Sequence, residues 1–345
     1  MWRPGRWPRW SSRAACHWAS TASGSRTATA IPDPRATWCG SREYPNVRSV
    51  KVVRDGREEL VNVDSAPDVV VVIGGGRMGA GIAQVFAGLG SEVSIVESSD
   101  EAASAARRRV ADGLAKAAER GALPQDPETV LGRLTVLTDF AALPPQADLV
   151  IEAVPERADL KIDVLTRAEA RVGPESVLAT NTSSLSVAEL GAALREPGRF
   201  VGTHLFNPVP ASKLVEVVVA PQTGDEVVRR VRGWVRALGK TDIVVRDSPG
   251  FATSRLGVLL GLEAIRMLEE GVADAESIDK AMELGYRHPM GPLRSTDLVG
   301  LDVRLAIAEY LHATLGERFV PPQLLRDKVA AGELGRKTGR GFHDW

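Results

Sequence analysis

Cysteine is almost missing from this chain of 345 residues: Cys16 and Cys39 are the whole inventory, and neither sits at metal-ligand or redox-motif spacing. A disulfide framework, a thiolate metal site and a cysteine nucleophile are thereby excluded from the rest of the chain. No apolar run approaches the ~20 residues that a membrane-spanning helix needs. Aromatic residues make up only 5%, and five of the seven tryptophans fall within the first 66 residues. A basic excess is lacking where nucleic-acid binding would need one. Residues 1–42 carry seven arginines against one acid, which leaves 36 basic and 43 acidic residues beyond them. No methionine stands between Met1 and Met78, so a shorter product would have to start at a different codon.

The first 66 residues show neither helical nor strand period. They are rich in Arg and Ser and poor in acids, as an organellar transit peptide is, but their tryptophans and prolines suit that poorly. A mis-set start of translation accounts for them equally well. Residues 1–66 are therefore expected to be a disordered or non-native extension. Within it VKVVRDGREELVNV (50–63), turning at Asp55-Gly56, is able to form a β-hairpin.

What the chain does have begins at Val69-Val-Val-Val-Ile73, a β-branched run that reads as a strand buried on both faces. It leads into Gly74-Gly75-Gly76-Arg77-Met78-Gly79 and then the helical pattern AGIAQVFA. Glycines at 74, 76 and 79 give the G-x-G-x-x-G spacing. Gly74 permits the tight turn, Gly76 admits a pyrophosphate close to the backbone, and Gly79 lets helix and strand pack closely. The helix N-terminus then offers free N–H groups to phosphate. A second strand, SEVSIVE, ends in Glu97, 23 positions after Gly74, where a carboxylate is placed to hold a ribose 2′-hydroxyl. That carboxylate would repel a 2′-phosphate, and no arginine follows it directly. NAD is therefore expected rather than NADP.

A second constellation lies in THLFNPVPASKLVEVV (203–218). Pro208 and Pro210 fix the backbone after His204 and Asn207, and the β-rich run that follows returns Glu216 toward the imidazole. A carboxylate beside a histidine holds one tautomer and stabilises the imidazolium, as a base that accepts a hydroxyl proton requires. Taken alone, His204 is more often a strand-edge histidine with a structural hydrogen bond. Beside a dinucleotide loop, the base reading is the stronger.

Strands alternate with helical segments up to Thr241–Val245, which predicts a Rossmann-type, largely parallel α/β sheet covered on both faces. After Ser248-Pro249-Gly250 only helical patterns remain, near 253–270, 274–284, 295–315 and 322–331. The helix at 253–270 is apolar nearly all round, so it is either a buried central helix or a subunit contact. The expected organisation is an NAD-binding domain over 67–248 and an all-α domain for substrate binding and dimerisation over 249–345.

These residues resemble the 3-hydroxyacyl-CoA dehydrogenase family over roughly 68–345. The matching pieces are VIGGGRMGAGIA, ADLVIEAVPERADLK (147–161), ATNTSSL (179–185), GTHLFNPVP (202–210), KLVEVV (213–218), DSPGF (247–251), HPMGPLRSTDLVGLD (288–302) and the C-terminal GRKTGRGFHDW, in the family's order and spacing. The resemblance implies that His204 accepts the hydroxyl proton, Glu216 orients it, and Ser183 and Asn207 contact the substrate's oxygens. It implies that Glu156, Lys161 and Lys337, with Ser183 and Asn207, lie around the cofactor. It further implies a 3-hydroxyacyl-CoA substrate of the (S) hand, a place in fatty-acid or short-chain acyl-CoA metabolism, a homodimer formed through the helical domain, and no metal, nucleic acid or membrane partner. A cytoplasmic location follows, or a mitochondrial one if residues 1–66 serve as a transit peptide.

Other uses exist for several of these residues. Asn181-Thr-Ser-Ser184 forms a helix N-cap and turn in most proteins. Lys161 and Lys337 read equally as solvated surface lysines, and Arg107, Arg108, Arg109 and Lys116, on the helix that approaches the CoA phosphates in the family, as a solvated face. Ser254 stands where the family usually has asparagine and is counted with the catalytic residues; His343 stands where it usually has tyrosine. A dehydrogenase of free hydroxy acids or sugar acids, as among the gulonate dehydrogenase and lambda-crystallin relatives, and a non-catalytic dimer are the competing functions.

Overall fold

The computed structural model describes residues 65–345 except residue 124, together with the backbone of two strands at 49–54 and 57–62. Residues 1–48, which hold most of the expected extension, and the turn at 55–56 lie outside the described residues. The strands β1 (Ser49–Arg54) and β2 (Arg57–Asn62) pair antiparallel, with Val53 opposite Glu58.

The main sheet begins at β3 (Val69–Ile73), followed by α1 (Arg77–Leu89), β4 (Glu92–Val96), α2 (Asp100–Glu119), α3 (Pro127–Leu131) and β5 (Leu134–Leu137). It continues through β6 (Leu149–Glu152), α4 (Ala158–Glu169), β7 (Val177–Thr180), α5 (Val187–Gly191), β8 (Phe200–Leu205), β9 (Leu214–Val219), α6 (Asp225–Ala237) and β10 (Thr241–Arg246). Eight strands lie in the order β10-β9-β8-β7-β6-β3-β4-β5. Every neighbouring pair is parallel except β8 with β9. Alternation along β3 explains the two covered faces. Val70 and Val72 join a core with Ile82 and Phe86 of α1, Val110 of α2 and Trp234 of α6, while Val71 and Ile73 join Leu165 of α4 and Leu190 of α5. Each such fully buried aliphatic side chain stabilises the fold by roughly 1.5–3 kcal/mol.

Beyond Ser248 the chain is helical: α7 (Thr253–Glu269), α8 (Ala275–Lys280), α9 (Pro292–Val299), α10 (Leu301–Leu315) and α11 (Gln323–Ala330). The sequence pattern suggested one helix over 295–315, but Gly300 divides it. Its φ of 103° is left-handed territory, and its N–H closes α9 on the Thr296 carbonyl. The expected helix at 274–284 is α8 continued by a π turn at Ala281–Gly285. Val258, Leu262 and Ile265 of α7 are buried with Leu301 and Leu311 of α10, whereas Leu256, 67% exposed, faces out. The C-terminal residues are tied to this core by acids. Asp297 accepts the N–H groups of Phe342 and His343, and His343 Nε2 lies 2.8 Å from Asp279 Oδ2.

Candidate active site

The order of strands reverses at β3. The chain goes outward through β4 and β5, then returns to the other side of β3 to place β6, and such a switch point opens a crevice at the carboxyl ends of the strands. Gly74 follows β3 with φ 94°, where a Cβ would also press on the Ala153 carbonyl at 3.1 Å. A Cβ on Gly79 would fall 1.7 Å from the Gly74 carbonyl oxygen, so helix α1 sits directly on the turn. Gly76 has nothing within 4 Å of where a Cβ would be, and it opens α1 without a side-chain cap. Bare N–H groups beside open space suit the pyrophosphate of a dinucleotide. Glu97, just past β4, accepts the Gly75 N–H at 2.6 Å. Gly74, Gly76, Met78 and Glu97 line a cavity of about 860 Å³. These residues fit NAD: a capless helix end for its phosphates, a carboxylate for a ribose, and apolar walls.

His204 and Glu216 face one another across the antiparallel β8–β9 pairing as register partners. His204 Nδ1 and Glu216 Oε2 are 2.7 Å apart, and both side chains are buried. Nε2 has no protein partner among the described residues, and His204 lines a second cavity, of about 320 Å³. The rings of Phe206 and Phe251 flank the imidazole, with centroids at 4.3 and 5.9 Å. Phe251 holds φ 49° beside Gly250 at 74°, two consecutive left-handed residues at the passage from sheet to helices. On Glu216 the largest influence is burial, which pushes its carboxyl up, but hydrogen bonds from His204 and from the Thr253 hydroxyl and N–H outweigh it and hold the carboxyl below its ordinary value.

The 320 Å³ cavity brings together His204, Ser183, Asn207, Glu156 and Lys161, with Asn181 and Met78. Glu156 accepts the Thr182 hydroxyl at 2.6 Å and the Ser183 N–H at 2.9 Å, and lies 3.2 Å from Lys161. Burial raises its carboxyl, and the Lys161 charge with these hydrogen bonds brings it below the usual carboxylate range. Lys161 is not a solvated surface lysine: it is 1% exposed and bonded to both carboxylate oxygens of Glu152 at 2.7 and 2.9 Å. Asn207 precedes a cis peptide to Pro208. Ser254 Oγ lies 3.5 Å from the Ser183 carbonyl, at the outer limit of a hydrogen bond. Lys337 is not brought to the cleft. It is ion-paired with Asp302 at 2.5 Å on the helical side and lines none of these cavities.

Three further residues support the site in ways that the sequence does not assign to them. Glu152 is a buried acid at the end of an apolar strand, a signal in itself, since such a charge demands a partner and Lys161 is nine positions on. Asn181 accepts the Leu205 N–H at 3.0 Å, next to His204. Thr253 bonds to Glu216, and nothing in its local sequence announces that contact.

A groove of about 570 Å³ adjoins, with Arg77, Arg109, Lys116 and Arg120 against Asp112. Of the basic residues on α2, Arg109 and Lys116 line it, while Arg107 is used on the Leu134 carbonyl at 3.0 Å. The three cavities share walls. Met78 and Val154 border both the nucleotide cavity and the His204 cavity, Asn207 borders the His204 cavity and the basic groove, and Arg77 and Arg109 border the groove and the nucleotide cavity.

A dinucleotide crevice whose neighbouring chamber holds a carboxylate-oriented imidazole defines the class of NAD-dependent dehydrogenases. Residues 69–248 match the NAD-binding domain of 3-hydroxyacyl-CoA dehydrogenase and residues 250–345 match its C-terminal domain. The chain belongs to the 3-hydroxyacyl-CoA dehydrogenase family and is an NAD-dependent oxidoreductase. A probable 3-hydroxybutyryl-CoA dehydrogenase of Deinococcus radiodurans is 44% identical over 278 residues, 79% of this chain and 99% of that protein. Among solved structures, Mycobacterium tuberculosis FadB2 superposes with a TM-score of 0.77 at 40% identity, over 81% of this chain and 100% of that one. The (S)-3-hydroxybutyryl-CoA dehydrogenase PaaH1 of Ralstonia eutropha does so with 0.77 at 39%, over 81% and 99%.

Proposed function

We propose that this enzyme oxidises an (S)-3-hydroxyacyl-CoA to the 3-ketoacyl-CoA. The observation that carries the proposal is the basic groove opening beside Asn207 onto the chamber of His204, which itself adjoins the nucleotide cavity. Phosphates of CoA pair with Arg109 and Lys116, and the acyl end reaches the imidazole past Asn207. Ser183 and Asn207 hold the C3 oxygen and the thioester oxygen. His204 Nε2 takes the C3 hydroxyl proton as the C–H bond breaks, and Glu216 holds the resulting imidazolium. NAD+, when bound, supplies the acceptor for the hydride that leaves C3. Gly74, Gly76, Met78, Glu97, Glu156 and Lys161 are the residues that would hold it.

We divide the chain functionally at 248–249, with the helical part as substrate-closing and dimer-forming domain. Leu256, Leu298, Val299 and Val303, exposed on α7, α9 and α10, are apolar surface of the kind that such a homodimer would bury. A soluble, cytoplasmic enzyme of acyl-CoA metabolism accords with this reading, and no described helix is long and apolar enough to cross a membrane. The test is NADH formation with 3-hydroxybutyryl-CoA, longer 3-hydroxyacyl-CoAs and the corresponding free acids. Turnover of the thioesters alone is expected. Turnover of free acids alone would overturn the substrate class.

A further inference from the structure

The Glu216 carboxylate is wholly buried and receives four donors. Nδ1 of His204 and the hydroxyl of Thr253 meet on Oε2, both at 2.7 Å, while the N–H groups of Thr253 and Ala252 meet on Oε1 at 2.9 and 3.1 Å. Three of the four come from Ala252 and Thr253, where α7 begins, although Glu216 itself sits on β9 of the sheet. Helix α7 starts without a side-chain cap of its own, so Glu216 takes that place from across the passage between sheet and helices.

Donor geometry restricts the proton. Two backbone N–H groups fix Oε1 as an acceptor and the carboxyl is held below its ordinary value, so Glu216 is ionised; the His204 ring then carries its proton on Nδ1, leaving the Nε2 lone pair toward the chamber. We propose that Thr253 is a positioning residue: its hydroxyl locks the Glu216 rotamer and charge so that His204 presents a proton-accepting Nε2 to the substrate hydroxyl. The inference rests on the reading of His204 as the base. A backbone N–H belongs to any residue at 253, but the hydroxyl is a property of this side chain. The other charged groups around the chamber, Glu156 and Lys161, are paired with each other, and Lys161 also with Glu152, so they do not compete for His204.

Thr253→Val keeps the shape and removes the hydroxyl; Thr253→Ser keeps the hydroxyl. With 3-hydroxybutyryl-CoA and NAD+, Thr253→Val should lower kcat about tenfold while both KM values stay within about twofold, one hydrogen bond to a charged group being lost. Glu216 then lends more of its charge to the imidazolium, so the acid limb of the kcat–pH profile should move to higher pH. Thr253→Ser should restore both. A Thr253→Val enzyme with normal kcat and an unmoved acid limb overturns the proposal, as does a Thr253→Ser enzyme as impaired as the valine variant. If Thr253→Val does not unfold cooperatively, Thr253→Ala is read by the same two measures. His204→Gln is run alongside. Near-normal turnover there sinks the base assignment itself, whereas a His204→Gln loss beside an unaffected Thr253→Val sinks only the role of Thr253.

Discussion

His204 and Glu216 are direct register partners on β8 and β9, the one antiparallel pairing among the described strands of the eight-stranded sheet. They are twelve positions apart in sequence, and the reversal of direction brings them face to face. In an all-parallel sheet the chain following His204 would have crossed over one face before pairing again. The dyad is thus a product of topology as much as of residue type.

Replacing the base tests that dyad. If His204 is the proposed base, His204→Gln should cost about 10²–10⁴-fold in kcat with NAD affinity retained, because the imidazole lines the chamber of Ser183 and Asn207 and not the nucleotide cavity. Glu216→Gln should also impair turnover, and further than loss of one contact, since its amide would turn a donor toward N–H groups that already point at it. Steady-state kinetics with cofactor titration would check both.

The glycine loop separates two kinds of failure. A methyl at 76 meets nothing within 4 Å, so Gly76→Ala should leave the melting temperature unchanged while weakening NAD binding, the methyl filling open space that a pyrophosphate would need. A methyl at 75 would fall 2.3 Å from Ala106 Cβ, so Gly75→Ala should destabilise the protein as well. Calorimetry for melting and titration for affinity distinguish them. Equal effects of the two substitutions on stability would contradict the geometry.

If Glu97 is the ribose ligand, NAD should be strongly preferred over NADP, because its carboxylate would repel a 2′-phosphate. Comparable kcat/KM for the two cofactors would remove Glu97 as the ribose ligand. Glu97→Gln is expected to narrow the preference.

Acid should destabilise the enzyme through Glu156 and Glu216. Both carboxyls are held below their ordinary value of 4.5, so the unfolded chain binds protons there that the folded one refuses. Their contribution is fully present above about pH 4.5 and is lost as pH falls through the folded-state values. Melting temperatures recorded downward from pH 6 should show the loss, and Glu156→Gln should flatten it. A wild-type curve that stays level to pH 3 would contradict the assignment.

Ser254→Ala should reduce kcat/KM by no more than about tenfold, or ~1.4 kcal/mol, since the hydroxyl reaches only the Ser183 carbonyl and at 3.5 Å. A loss as large as that of His204→Gln would make Ser254 a direct catalytic partner.

Much of this site was legible in the chain. The β-branched apolar run before Gly74 reads as a strand buried on both faces, and Glu97 stands one strand further at the expected distance. His204 and Glu216 were legible because prolines and a β-rich run lie between them. Less legible were contacts made across the passage between sheet and helices. Thr253 looks like any residue opening a helix until Glu216 is set against it, and Lys161 looks solvated until Glu152 is found beneath it. Lys337 shows the reverse case, a lysine that the resemblance placed by the cofactor and that pairs with Asp302 here. The break at Gly300 is hidden in the sequence because apolar periodicity continues across it, and the left-handed backbone there makes the stop.

Arg109 donates to the Gly75 carbonyl at 3.1 Å, and it lines the basic groove and the nucleotide cavity alike, as Arg77 does. A wall held in common gives the two affinities a route to linkage: an occupant of one cavity that shifted these guanidinium groups would alter the fit of the other. Reciprocity then fixes the bookkeeping, for whatever factor the nucleotide adds to the grip on a phosphate-bearing thioester, the thioester must return to the nucleotide. On the proposed reading, Arg109→Ala would remove a groove contact and weaken that linkage as well, leaving Arg77 as the guanidinium still common to both cavities.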